Sequence, residues 1–264
     1  AVVLIIYSIV AGLLLKVPEL PILRETIRNL YYHVTMWFSM IALFLYSMIS
    51  GIRYLNSFNL KYDTYADEAA KVGMFMGTLG LVTGMVWAQF TWGSFWVNDP
   101  KLNGSAITML VYLAYFILRG SLEDPEKRAR ISAVYNIFAF VMMLVFIGVL
   151  PRMTDSLHPG NGGNPAFSGY DLNDNMKLVF YPAVLAWILF GTWLFTIRVR
   201  IRNLEEKLVS QKEEMQELQK KFTTEFENIA NKILEEKSVK FTAQNKENID
   251  TVLTPLNEKL KSFE

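Results

Sequence analysis

Five runs of this chain, about residues 34–52, 70–90, 104–118, 131–150 and 177–197, are strongly apolar and almost free of charge. Each is near the roughly 20 residues a helix needs to cross a hydrocarbon layer. A helix in water needs a polar face along most of its length, and none of these runs supplies one. Lipid offers no partner to a backbone N–H or carbonyl, so a run of this kind is expected to be helical. Residues 1–15 carry no charge but are short for a span. They read either as the h-region of a signal peptide or, as preferred here because five further runs follow, as the end of a truncated first span. The expected fold is an all-α membrane protein: a six-transmembrane-helix bundle with a truncated first helix, followed by a soluble helical, coiled-coil-like tail.

Composition divides the chain in the same place. All six Trp and all twelve Tyr precede residue 203, and the sequence beyond is rich in Glu, Lys and Gln. Domains are therefore expected at 1–202 and 203–264. With no cysteine, disulfides, Cys-ligated zinc, iron–sulfur clusters and thiol catalysis are excluded. A net charge of +1 gives no argument for nucleic acid as a partner of the membrane part; lipid is its expected environment.

Lys and Arg set the expected orientation. Arg53, Lys61, Lys71, Arg119, Lys127, Arg128, Arg130, Arg198, Arg200, Arg202 and Lys207 fall on one side, against Lys16, Arg24, Arg28, Lys101, Arg152 and Lys177 on the other. The richer side is expected to face the cytoplasm, together with the tail. His33, the Trp92–Asp99 segment and His158 then share the outer side. Of the outer connections, Arg24–Tyr32 suits a short interfacial helix. Residues 151–176, with Pro151, Pro159, Gly160, Gly162, Gly163, Pro165 and Gly169, are expected to form a loop. Pro182 is expected to kink the last span.

The tail has its own periodicity. Leu204, Leu208, Gln211, Met215, Leu218 and Phe222 recur at alternating steps of four and three, a heptad seam flanked by Glu and Lys. A coiled coil with a partner helix and a solitary solvated helix both fit this pattern.

The candidate chemistry lies in Trp92-Gly93-Ser94-Phe95-Trp96-Val97-Asn98-Asp99. An interfacial aromatic belt explains tryptophans there. On a helix, however, Trp92 and Trp96 would share a face, Gly93 would permit close approach to the backbone, and Asp99 with Lys101 places charge beside the aromatics. His33 and His158 are the only histidines. Each alone reads as an interfacial or solvated residue. Together, on the aromatic side, two neutral imidazoles have the chemistry to ligate a haem iron from opposite faces. Such a site binds and hands over haem and leaves no open position for oxygen chemistry, so a binding and transfer protein is favoured over a conventional enzyme. No phosphate-cradling loop, HExxH or hydrolase triad occurs.

Residues 1–202 resemble the CcmC family of cytochrome c-type biogenesis, within the wider haem-handling group that shares a tryptophan-rich WGxxWxxD motif. Trp92 to Leu102 falls on that motif, Leu81-Val82-Thr83-Gly84-Met85-Val86-Trp87 resembles its lead-in, and His33-Val34 and Leu157-His158 resemble its two histidine segments. The resemblance implies a multi-pass protein of the bacterial inner membrane that holds haem b on the periplasmic side. His33 and His158 would be axial ligands. Trp87, Trp92, Gly93 and Trp96 would form the platform, with Asp99 and Lys101 on the propionate side. Implied partners are the haem chaperone CcmE and the ABC transporter components CcmA and CcmB. Phe95, Asn98, Thr35 and Asn103 depart from the usual family residues.

The tail around Phe226–Asn248 is similar instead to the helical opening of the RmuC family, without that family's nuclease-like domain, so no DNA function is carried over. Two rival readings follow from the residues: a six-helix transporter or channel without haem, and a membrane-anchored coiled-coil scaffold.

Overall fold

The structure is a computed structural model and describes residues 1–20, 22–158 and 172–262. Pro21 and the glycine- and proline-rich stretch from Pro159 to Gly169 lie outside the described residues. Among the described residues all regular structure is helical: α1 (Val2–Leu14), a 3-10 segment (Arg24–Asn29), α2 (Leu30–Ser57), α3 (Leu60–Trp92), α4 (Pro100–Gly120), α5 (Pro125–Met143), a π-helical segment (Leu144–Val149), α6 (Leu150–Met153) and α7 (Asp174–Lys261). Five of these helical stretches are long and apolar enough to cross a membrane; α1, with 13 residues, is shorter. This is a multi-pass helical membrane protein. Residues Ala1–Ile201 form one compact unit and Arg202–Glu264 another.

Helix starts follow local chemistry. Asn59, Asp99 and Asp124 each adopt extended backbone and accept backbone N–H groups of the first turn, with proline next in line after both aspartates. The Arg24–Tyr32 expectation is met by the 3-10 segment, which runs directly into α2.

The α2–α3 hairpin is keyed by glycine. A Cβ on Gly73 would stand 2.7 Å from the Phe44 ring, on Gly77 2.7 Å from Met40 sulfur, on Gly80 3.0 Å from the Trp37 indole, and on Gly84 2.5 Å from His33 Cε1. Four large α2 side chains thus fill four successive notches of α3 in one antiparallel register, the close approach that small residues permit between membrane helices. The last notch holds a histidine.

Polar side chains tie the remaining helices. Ser47 donates to the Ala66 carbonyl at 2.6 Å and accepts from Asn136 Nδ2 at 2.7 Å, joining α2, α3 and α5. Ser39 donates to the Trp187 carbonyl at 2.9 Å, joining α2 and α7. Pro182 has no N–H to give the Leu178 carbonyl one turn back, and the Tyr7 hydroxyl donates to that oxygen instead at 3.1 Å.

Two expectations need correction. The second apolar run was read as beginning near residue 70 and the spans as almost uncharged, but α3 begins at Leu60. Asp63, Asp67, Glu68 and Lys71 therefore ride on a spanning helix, and the three carboxylates are buried. Arg119 makes a bidentate pair with Asp63 (2.7 and 2.6 Å) and reaches Asp67 at 3.2 Å. Lys71 meets Asp67 and Glu68 at 2.9 Å each, and Arg198 meets Glu68 at 2.6 Å. Mutual pairing is what lets these charges lie inside a bundle. Secondly, Pro151 was assigned to the loop, whereas helix continues to Met153. It does so through a widened turn, in which the Leu150 N–H reaches back to the Val145 carbonyl.

The second unit is helical and its seam is exposed: Leu204, Leu208, Met215, Leu218 and Phe222 are each more than half accessible.

Candidate functional site

At the end of the bundle where α2 begins and α3 finishes, the structure gathers most of the residues singled out from the sequence. His33 lies in the first turn of α2, half-buried, with Nδ1 2.8 Å from the Gly80 carbonyl and 3.3 Å from the Thr83 hydroxyl. A carbonyl only accepts, so Nδ1 carries the proton and Nε2 holds the free lone pair. The edge of Trp87 stands against the ring at a centroid distance of 5.8 Å and that of Trp37 at 6.3 Å. Trp87 is itself fixed by donation from its indole N–H to the Thr26 hydroxyl at 3.1 Å.

His158 is held by the same logic from a different element. Its Nδ1 lies 2.9 Å from Asp99 Oδ1, and a carboxylate only accepts, so Nδ1 is the donor there and Nε2 is the nitrogen turned to other partners. Trp92 packs edgewise against it at 5.0 Å. No described residue is hydrogen-bonded to Nε2 of either histidine. The last turns of α3 therefore carry one tryptophan to each histidine.

Asp99 is the hub of the second half. It is 1% exposed, caps α4 by accepting the Lys101 and Leu102 N–H groups, and takes donations from the Ser156 hydroxyl at 2.9 Å and the Leu157 N–H at 2.7 Å. Burial works against its charged form. The bonds from His158, Leu157 and Ser156 outweigh that and hold the carboxyl well below the usual carboxylate range.

The shared helical face expected for Trp92 and Trp96 is not formed. α3 stops at Trp92 because Gly93 takes a left-handed conformation (φ 78°) and closes the helix. A Cβ there would meet nothing within 4 Å, so among the described residues it is the backbone angle that calls for glycine. Trp96 stands in the following turn, 38% exposed, with no ring contact to either histidine among the described residues. Lys101 follows the cap of α4 and is half-buried. Two of the departures from the family pattern pair with each other: Asn103 donates to Asn98 at 2.7 Å.

Sequence reasoning missed Trp37, Thr26, Gly80, Ser156 and the holding role of Gly84. The Gly73, Gly77, Gly80, Gly84 spacing was the available signal, because steps of four and three place all four on one face of a helix.

The donor set suits an iron-centred planar ligand: two imidazoles beside indole rings, each with Nδ1 secured and with Nε2 unbonded among the described residues. Among the described residues no cluster of three His or acidic side chains is arranged for a bare metal ion. Fold and site together define a multi-pass helical membrane protein with paired histidines and tryptophans at one end.

The pattern of the family described as "Heme exporter protein C" matches residues 1–218, and the chain belongs to that family, CcmC. It is similar to "Heme exporter protein C" of Rhodobacter capsulatus, 26% identical over 196 residues, which cover 72% of this chain and 79% of the relative. To the protein of the same name from Paracoccus denitrificans it is 28% identical over 185 residues, 70% of this chain and 76% of the relative. A shorter match, 36% identical over 104 residues, joins 38% of the chain to 32% of "Cytochrome c biogenesis protein CcsA" of Prochlorococcus marinus.

Proposed function

We propose that this protein handles haem in cytochrome c biogenesis, binding haem b at the outer face of the bacterial inner membrane and delivering it to the chaperone CcmE, in association with CcmA and CcmB. The observation that carries the reading is the matched treatment of the two histidines. Each gives Nδ1 to a protein acceptor, meets the edge of one α3 tryptophan and has an Nε2 with no partner among the described residues. His33 and His158 are the axial ligands in this reading. Trp87, Trp92, Gly93 and Trp96 supply the platform, and Lys101 lies on the propionate side with Asp99 behind His158. When bound, haem would supply an iron for the two imidazoles to hold; the chain's own residues orient those imidazoles and shield them with indole. Residues 1–202 are the haem-handling membrane domain with six spans counting α1, and 203–264 form a cytoplasmic tail whose seam takes a coiled-coil partner.

Protein extracted from membranes should show a bis-histidine haem spectrum. His33→Ala and His158→Ala should each weaken it, and unchanged haem content in both variants would overturn the assignment. Protonation competes with iron for imidazole, so haem held above the ordinary histidine pKa of about 6.5 should be lost as the pH falls through and below it. Retention down to about pH 5 would contradict ligation by accessible imidazoles.

A further inference from the structure

We propose that Asp99 is a positioning residue for His158: its carboxylate fixes the tautomer and direction of the imidazole and strengthens Nε2 as a donor to iron. This rests on the haem reading above and goes beyond it, because it moves Asp99 from the rim of the ligand to the back of the ligating side chain.

Three observations carry it. The first is contact: His158 Nδ1 lies 2.9 Å from Asp99 Oδ1, and an imidazole that donates its second N–H to a carboxylate is a more basic ligand through its other nitrogen. The second is anchorage. Asp99 caps α4 through the Lys101 and Leu102 N–H groups, so one side chain joins a rigid helix to the segment that bears His158. The Ser156 hydroxyl and Leu157 N–H occupy its other oxygen and pin the two residues just ahead of His158. The third is burial. Asp99 is 1% exposed, so its charge is answered by these donors and the helix N-terminus instead of water. His33 differs in that its Nδ1 meets a neutral carbonyl. The anionic partner belongs to His158 alone.

The test uses the full chain in detergent, haemin titration and a redox titration of the bound haem. Asp99→Asn keeps a side chain that caps helices well but removes the anion. It should weaken haem binding about 10- to 100-fold and move the haem potential upward, because a less electron-rich imidazole favours the ferric state less. Asp99→Glu, which keeps the anion, should restore most of the shift. In a His158→Ala background, Asp99→Asn should have no further effect, since coupled residues are not additive. Should the Asn variant fail to fold, Asp99→Ser, another uncharged cap, takes its place. An unchanged affinity and potential in the uncharged variants, or an equal loss when His158 is already absent, would overturn the proposal. Haem binding indifferent to both His33→Ala and His158→Ala would instead overturn the reading beneath it, so the two failures are distinct.

Discussion

The two ends of the membrane bundle use polar side chains in opposite ways. At one end Asp63, Asp67, Glu68, Lys71, Arg119 and Arg198 close on one another, with a bidentate pair at 2.6–2.7 Å as the anchor. At the other end His33 and His158 are each secured through one nitrogen, and the second has no hydrogen-bond partner among the described residues. A buried charge that spends its bonding capacity on neighbours is scaffold. A side chain held by one atom while another stays available is equipment for a ligand. Polarity inside a membrane protein does not separate these roles; the remaining valence does.

That contrast can be broken experimentally. The largest effect should come from the closed end: Asp63→Ala leaves Arg119 buried without its bidentate partner and should cost about 3–5 kcal/mol, read as a large drop in thermal unfolding temperature in detergent. An unchanged temperature would show the network to be dispensable. At the histidine end, Gly84→Ala drives a methyl to within 2.5 Å of His33 Cε1. It should cost about 1–3 kcal/mol by overpacking and, unlike Asp63→Ala, should lower haem content per folded molecule. If haem tracks folded protein alone, the notch has no bearing on the ligand. Replacing Trp92 with Leu removes the edgewise contact to His158 and should cost about 0.5–1.5 kcal/mol, visible as a shifted haem absorption band with the fold retained. The smallest effect is expected from removing residues 205–264, which should leave haem content unchanged; loss of haem on that deletion would join the tail to the site.

Much of this was legible in the sequence because membrane physics is one-dimensional. Charge-free length announces a span. The joint placement of His33 and His158 beside the tryptophans followed from loop order alone. What escaped depended on partners distant in the chain. The α3 carboxylates looked like loop charges, since nothing local shows that Arg119 lies opposite Asp63. Trp92 and Trp96 looked like one helical face because the spacing of four is read as helix, whereas the left-handed backbone of Gly93 ends α3 between them. Asp99 looked like surface charge because the residues that bury it, Ser156 to His158, arrive more than fifty positions later.

The widened turn at Leu144–Val149 carries a consequence for phase. A π turn contains about one residue more than an α turn, so every side chain beyond it points about 100° away from where an unbroken helix would aim it. The carbonyl of Phe146 in that turn lies where a Cβ on Gly104 would collide with it, so glycine in α4 leaves room for the bulge. Removing a single residue from this stretch would lengthen no loop and break no span. It would rotate Leu150 to Met153 as a block and so re-aim the chain that leads to His158. An insertion one residue long thus acts as an angular setting for the half of the site that comes last in the chain.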